Sequence, residues 1–218
     1  MSKEKIYIID YGLGNLRSVE RAFEYFGEEA KIVSTGKEIL EADRLILPGI
    51  GAFGDGMKGL KERNLIQPIY DYIKSKRPLL GVCLGMQLLM SESEEFGLHK
   101  GLDLIKGKVV PLKSVEEVKE EGYKVPHMGW SELMQDSKKW SSTILSKISN
   151  KAEVYFVHSF HVAPENKAYI LAKTIYGNQE ICAVIQKDNV IGCQFHPEMS
   201  GKNGLQIYKN FCELNTGD

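Results

Sequence analysis

Gly81-Val82-Cys83-Leu84-Gly85-Met86-Gln87 sets a cysteine between two small residues directly after the apolar run Pro78-Leu79-Leu80. Glycines on both sides let the backbone leave a buried strand and enter a helix through a strained elbow, with the middle side chain exposed at the strand's carboxyl end. A thiol suits that position. Roughly a few per cent of it is thiolate at neutral pH even without help, and the positive end of a following helix favours the anion further. Taken alone, the pattern fits a buried structural cysteine equally well, since free cysteine is among the most buried residue types.

A second motif favours the nucleophile. Gln194-Phe195-His196-Pro197-Glu198 closes another apolar run, Asn189-Val190-Ile191-Gly192-Cys193. Proline disfavours the helical region for the residue before it, so His196 is expected to be extended, and residues two apart in an extended segment point to one side. Glu198 then reaches the imidazole, fixes its tautomer and stabilises the imidazolium, while the other ring nitrogen takes the proton of Cys83. A His-x-Glu on its own is more often a surface pair at a strand end; with the cysteine elbow it completes a triad. The third segment, Leu45-Ile46-Leu47-Pro48-Gly49-Ile50-Gly51-Ala52-Phe53-Gly54, supplies backbone donors. Its glycines at 49 and 51 allow amides to turn toward a developing oxyanion beside the Leu84 N–H. A plain strand-to-helix turn explains those glycines too, but not their company.

These residues need a parallel sheet to position them. Short apolar strands alternate with amphipathic helices in the first half of the chain, the pattern of helical crossovers. Strands are expected at Lys5–Ile9, Ala30–Val33, Arg44–Leu47 and Leu79–Val82, with helices near Gly54–Arg63, Ile66–Lys74 and Gly85–Glu92. The first helix carries Leu16, Val19, Phe23 and Phe26 on one face and follows Asn15 as an expected N-cap. From Leu104 to Phe195 strands dominate, pointing to an antiparallel extension, and a closing helix is expected at Gly204–Cys212. No linker, repeat or low-complexity tract divides the chain, so residues 1–218 are expected to form a single domain.

Composition narrows the partners. A chain of 218 residues can bury about 70% of its unfolded surface in one core. The 28 basic and 29 acidic residues nearly cancel, so no field argues for nucleic acid or a membrane. Met1-Ser2-Lys3-Glu4-Lys5 leads into four apolar residues before Asp10, too short for a signal peptide or a span, and a cytoplasmic location is expected. Cys83, Cys182, Cys193 and Cys212 lack C-x-x-C spacing, so neither a metal site nor a disulfide framework is expected. Gly12-Leu13-Gly14 would need its third glycine at Arg17 to form a dinucleotide turn, and is read as a tight turn. Lys113–Lys124 reads as a solvated charged segment, and His99, His161, His127 and His158 as packing or interface residues.

Together, Pro48-Gly49-Ile50-Gly51, the Cys83 elbow and Gln194-Phe195-His196-Pro197-Glu198 resemble the class I (triad-type) glutamine amidotransferases. Ile9-Asp10-Tyr11-Gly12-Leu13-Gly14-Asn15-Leu16-Arg17-Ser18, Pro126-His127-Met128-Gly129-Trp130 and Tyr155-Phe156-Val157-His158-Ser159 are similar to the glutaminase subunits of imidazole glycerol phosphate synthase. The resemblance runs from Ile6 to about Phe211. It implies a three-layer, flavodoxin-like α/β fold with a central, mostly parallel sheet and an antiparallel extension. It also implies that Cys83, His196 and Glu198 hydrolyse L-glutamine without a cofactor. Leu84 with Gly49, Ile50 and Gly51 would form the oxyanion hole, while Gln87, Glu95, Ser159 and Phe160 hold the glutamine. Trp130, Met128 and Ser131 would face a (β/α)₈-barrel cyclase in a heterodimer. Ammonia tunnels to that partner, which makes imidazole glycerol phosphate and the AICAR ribonucleotide in histidine biosynthesis.

The departures concern the partner. Ser131 stands where the family usually has Asn, Met199 where it usually has Lys, and Phe160-His161 replace a more usual Tyr-containing pair. A paralogous glutaminase feeding a sugar amidotransferase of surface-polysaccharide synthesis is therefore the alternative. A stand-alone cysteine hydrolase would not need Gln87, Glu95 or the 126–130 segment, and a silent binding subunit would not need an intact triad.

Overall fold

Strands buried on both faces set the layout. The computed structural model describes residues 4–120, 122–135 and 140–214; the expectation for Met1-Ser2-Lys3 and that for Glu121 in the charged segment lie outside them. The chain runs β1 (Ile6–Ile9), α1 (Leu16–Tyr25), β2 (Ala30–Val33), α2 (Gly36–Glu41), β3 (Arg44–Leu47), α3 (Phe53–Glu62), α4 (Ile66–Lys74), β4 (Leu79–Val82) and α5 (Leu84–Leu88). There follow β5 (Glu92–Ser93), β6 (His99–Lys100), β7 (Gly107–Pro111), α6 (Val115–Val118), β8 (His127–Glu132), β9 (Met134–Gln135), β10 (Glu153–His158) and β11 (Phe160–Pro164). Then come β12 (Ile170–Tyr176), β13 (Gln179–Lys187), β14 (Val190–Cys193) and α7 (Gly201–Glu213).

An eight-stranded sheet has the order β2-β1-β3-β4-β14-β13-β12-β9. It is parallel from β2 to β14 and antiparallel beyond. Every residue of β3, β4 and β14 is buried, as expected of parallel strands covered on both faces. Alternation along the strands divides their side chains between two cores. Ile6, Ile8 and Ile46 pack with Val19 and Phe23 of α1 and Ile207 and Phe211 of α7. Ile9, Leu45 and Leu47 pack with Phe53, Leu60, Ile69 and Leu88 of α3, α4 and α5. Helix, sheet and helix therefore form three layers, an α/β fold with the expected antiparallel extension. Beside it lie a four-stranded sheet of order β11-β7-β5-β6 and an antiparallel β8–β10 pair. No helix of the described residues is long and apolar enough to cross a membrane.

Five local details differ from the expected elements or add to them. Asn15 occupies the N-cap of α1, but its side chain makes no capping hydrogen bond. Helix α2, too short to show a periodicity, starts at a Thr35 hydroxyl that accepts from Glu38 N. Helix α5 stops at Leu88, short of Glu92, because the chain turns there into β5. The charged segment contains α6, nucleated by a capping box between Ser114 and Glu117. Trp130 and its neighbour Gly129 lie within β8.

Candidate active site

Cys83 stands between the last residue of β4 and the first of α5 at φ 52° and ψ −109°, a left-handed conformation that costs a non-glycine residue on the order of 1–3 kcal/mol. The flanking glycines make the turn possible. A Cβ on Gly85 would lie 1.7 Å from Leu47 O, and one on Gly81 2.7 Å from Gly85 O. The Cys83 N–H donates to Cys193 O at 2.8 Å, which ties the elbow to the end of β14.

His196 leaves β14 through Gln194 and Phe195, and its backbone is clamped on both sides. Its N–H donates to Tyr155 O at 2.9 Å, and its carbonyl accepts from Ser200 Oγ at 2.6 Å. The residue itself is extended, as expected, but Pro197–Met199 then coil into a single 3₁₀ turn. That turn, not a continued strand, brings Glu198 Oε1 within 2.7 Å of Nδ1. The second carboxylate oxygen accepts from Tyr208 Oη at 3.0 Å. Nε2, on the far side of the ring, is buried and has no hydrogen bond of ordinary geometry. Burial disfavours the charged ring, but Cys83 and Glu198 outweigh it, and the His196 pKa is pushed up to about 10.

The glycine-rich turn after β3 passes the same place. Tyr11 Oη donates to Pro48 O at 2.7 Å, and a Cβ on Gly49 would lie 2.1 Å from that hydroxyl and 2.9 Å from Leu84 Cβ. Close approach therefore requires glycine at 49. Gly51 takes φ 99° with open space beside it. Burial, then the nearby Cys83, pushes the Tyr11 phenol far above its ordinary range, so it stays a neutral donor.

A cavity of about 250 Å³ is lined by Ile50, Gly51, Cys83, Leu84, Gln87, Glu95, Val157, His158, Ser159, Phe160 and His196. Of the residues singled out from sequence, Gly49 and Glu198 alone among the catalytic, oxyanion and glutamine-binding sets stand behind this wall. Two groups expected to hold glutamine are already anchored. Gln87 Nε2 donates to Phe160 O at 2.8 Å, and Glu95 Oε2 accepts from Phe53 N at 2.7 Å, at the N-terminus of α3. The Ser159 carbonyl is likewise taken by Leu112 N at 2.8 Å. Trp130, Met128 and Ser131 lie outside this cavity on β8. The first two are exposed, whereas Ser131 Oγ turns inward to His127 Nε2 at 2.9 Å.

Sequence reasoning missed four side chains. Tyr208 sits ten residues beyond Glu198, with no local signal for the contact. Tyr11 was quoted only as part of a motif. His127 and His158 are cross-strand partners in β8 and β10, with Nδ1 of the first 3.2 Å from Nε2 of the second. His158 Nδ1 donates to Phe160 O at 3.0 Å, so its Nε2 must accept from His127. Burial holds His127 at about 4, and burial with His127 beside it holds His158 at about 3, so both rings are neutral at pH 7. Among the described residues no cluster of three or more His, Cys, Asp or Glu could hold a metal ion.

The model of the glutamine amidotransferase class-I family matches residues 7–214. The chain belongs to this family. Relatives at high identity include the imidazole glycerol phosphate synthase subunit HisH 1 of Legionella pneumophila (strain Paris), 52% identical over 96% of this chain and 99% of the relative. The imidazole glycerol phosphate synthase subunit HisH of Geobacter sulfurreducens is 47% identical over 96% of this chain and 99% of its own length. Among solved structures, a chain of PurLQS from Thermotoga maritima has the same fold, with TM-score 0.75 at 18% identity over 97% of this chain and 99% of that one.

Proposed function

We propose that this chain is the glutaminase subunit of an imidazole glycerol phosphate synthase, forming one domain and working in the cytoplasm beside a (β/α)₈-barrel cyclase. The convergence of Cys83, His196, Gln87 and Glu95 on one cavity, with His196 held by Glu198, carries the reading. With its proton held on His196 Nε2, Cys83 acts as the thiolate and adds to the side-chain carbonyl carbon of glutamine. The carbonyl electrons move onto oxygen, facing Leu84 N–H and an amide of residues 49–51. His196 returns its proton to the departing nitrogen, ammonia leaves, and water taken up through His196 breaks the thioester to give glutamate. The anchored Glu95 carboxylate keeps one oxygen for the substrate ammonium group, and Gln87 keeps its carbonyl oxygen for an amino group. Ammonia must reach the partner without meeting water, where protonation would remove the lone pair that attacks.

The relatives named above favour the histidine-pathway partner over a sugar amidotransferase. Glycines on either side of Ile50 lower the cost of reorienting its peptide units, so an oxyanion donor can turn away until the partner is loaded. One missing donor costs roughly 10²–10³ in rate. Glutamate release is therefore expected to be slow for the chain alone, and faster with a substrate-loaded cyclase than with an empty one. Equal rates in the three states would remove the switch, and no glutamate in any of them would remove the glutaminase reading.

A further inference from the structure

Gln194 is wholly buried between the nucleophile and the cavity wall. Its backbone N–H donates to Ala183 O at 2.9 Å, which fixes it to the neighbouring strand. Its side chain spans two residues of the cavity: Nε2 lies 3.8 Å from Cys83 Sγ, and Oε1 lies 3.4 Å from Gln87 Nε2. Which end of the amide faces the sulfur follows from the network. The Phe160 carbonyl can only accept, and it takes His158 Nδ1 and Gln87 Nε2. Gln87 must therefore show its amino group there, and its second hydrogen points to Gln194. Gln194 answers with its oxygen. Its own amino group is left facing Cys83, and reversing either amide would set donor against donor or acceptor against acceptor.

On the other side of the sulfur, Val157 O lies 3.8 Å away. A carbonyl suits the thiol, whose S–H can donate to it, and opposes the thiolate, which can only accept. We infer that Gln194 is a further catalytic residue, an N–H donor that stabilises the Cys83 thiolate against the Val157 carbonyl once the proton has moved to His196 Nε2. A hydrogen bond to the charged form of an acid favours that form. The chain from Phe160 through Gln87 holds the donor in place before glutamine arrives, so no reorientation is needed at the moment of attack. The inference rests on the reading of Cys83 as the nucleophile.

The test is alkylation of the full-length protein by iodoacetamide over a pH series, with the modified cysteine read by peptide mass, and glutamine kinetics with the loaded partner. Gln194→Met keeps length and approximate volume but has no donor. It should move the midpoint of the Cys83 alkylation profile up by about one pH unit, so that the rate on the acid side of the midpoint falls about tenfold. The rate at high pH, where the thiol is fully ionised, should be unchanged, and kcat should fall with KM little altered. Gln194→Leu, which removes both polar amide atoms, should shift the profile in the same direction as the Met variant. A packing role alone would lower the melting temperature without moving the reactivity midpoint. Wild-type midpoints in both variants would overturn the inference; if the Met variant does not fold, the Leu variant decides. Failure of wild-type Cys83 to react in preference to Cys182, Cys193 and Cys212 would overturn the glutaminase reading and this inference together.

Discussion

His196 Nδ1 lies 2.7 Å from Glu198 Oε1, and their side chains are only 4% and 3% exposed. Such a pair is stable only if each remaining polar position finds a partner. Tyr208 satisfies the second carboxylate oxygen, and Ser200 and Tyr155 hold the histidine backbone. Nε2 is left for the sulfur and the substrate.

Three buried histidines make the stability of the fold depend on pH. Burial disfavours charge on His196, yet Cys83 and Glu198 raise its pKa from 6.5 to about 10. The folded protein therefore binds this proton more tightly than the unfolded chain. That contribution is complete below pH 6.5 and lost as pH rises through about 10. His127 and His158 work in the opposite direction: buried as neutral rings, with pKa lowered to about 4 and about 3, they lose their contribution as pH falls below 6.5. The melting temperature should peak near pH 6.5 and fall on both sides. Glu198→Gln should flatten the alkaline limb and His127→Gln the acid limb. Calorimetry over the pH range checks this, and a melting temperature that rises steadily into the alkaline range would contradict it.

Cys83→Ala should reduce glutamine-dependent turnover by on the order of 10⁴-fold or more, since no other covalent centre is available. The fold and partner binding should survive, and ammonium salts at high pH should still support the partner's reaction. Cys83→Gly should be equally inactive but more stable than the alanine variant by about 1 kcal/mol, because glycine relieves the φ of 52°. Appreciable glutamine turnover by either variant would sink the assignment of the nucleophile.

Trp130 is 53% exposed on β8, with its ring edge-on to Tyr155 at 5.9 Å. A half-exposed indole on a strand has little core packing to lose and much surface to offer a partner. Trp130→Ala should weaken association with the cyclase by about 2 kcal/mol, or about thirtyfold in Kd, with little change in melting temperature. Titration calorimetry with the barrel subunit distinguishes this from a packing role, in which the variant melts lower and binds unchanged.

Residue types and their spacing showed which groups are chemically able and where the chain can turn. A glycine-flanked cysteine after an apolar run marked a candidate elbow, and the His-Pro-Glu motif favoured it over a buried structural cysteine; the reason glycine is obligatory at 85, the Leu47 carbonyl in the space of a Cβ, came from the structure. Continuous apolar runs marked the two-faced parallel strands, since burial on both sides removes polar residues from every position. Which of these groups meet depends on strand register and packing. The register of β14 on β4 sets Cys193 beside Val82, and so brings Gln194 to Cys83 across 111 residues of sequence. The register of β8 on β10 pairs His127 with His158. The 3₁₀ turn that delivers Glu198 depends on Tyr155 and Ser200 holding His196. Contacts of this kind have no period and no local signature, because they arise when separate strands choose a register that buries their apolar faces, and the polar partners are carried along with it.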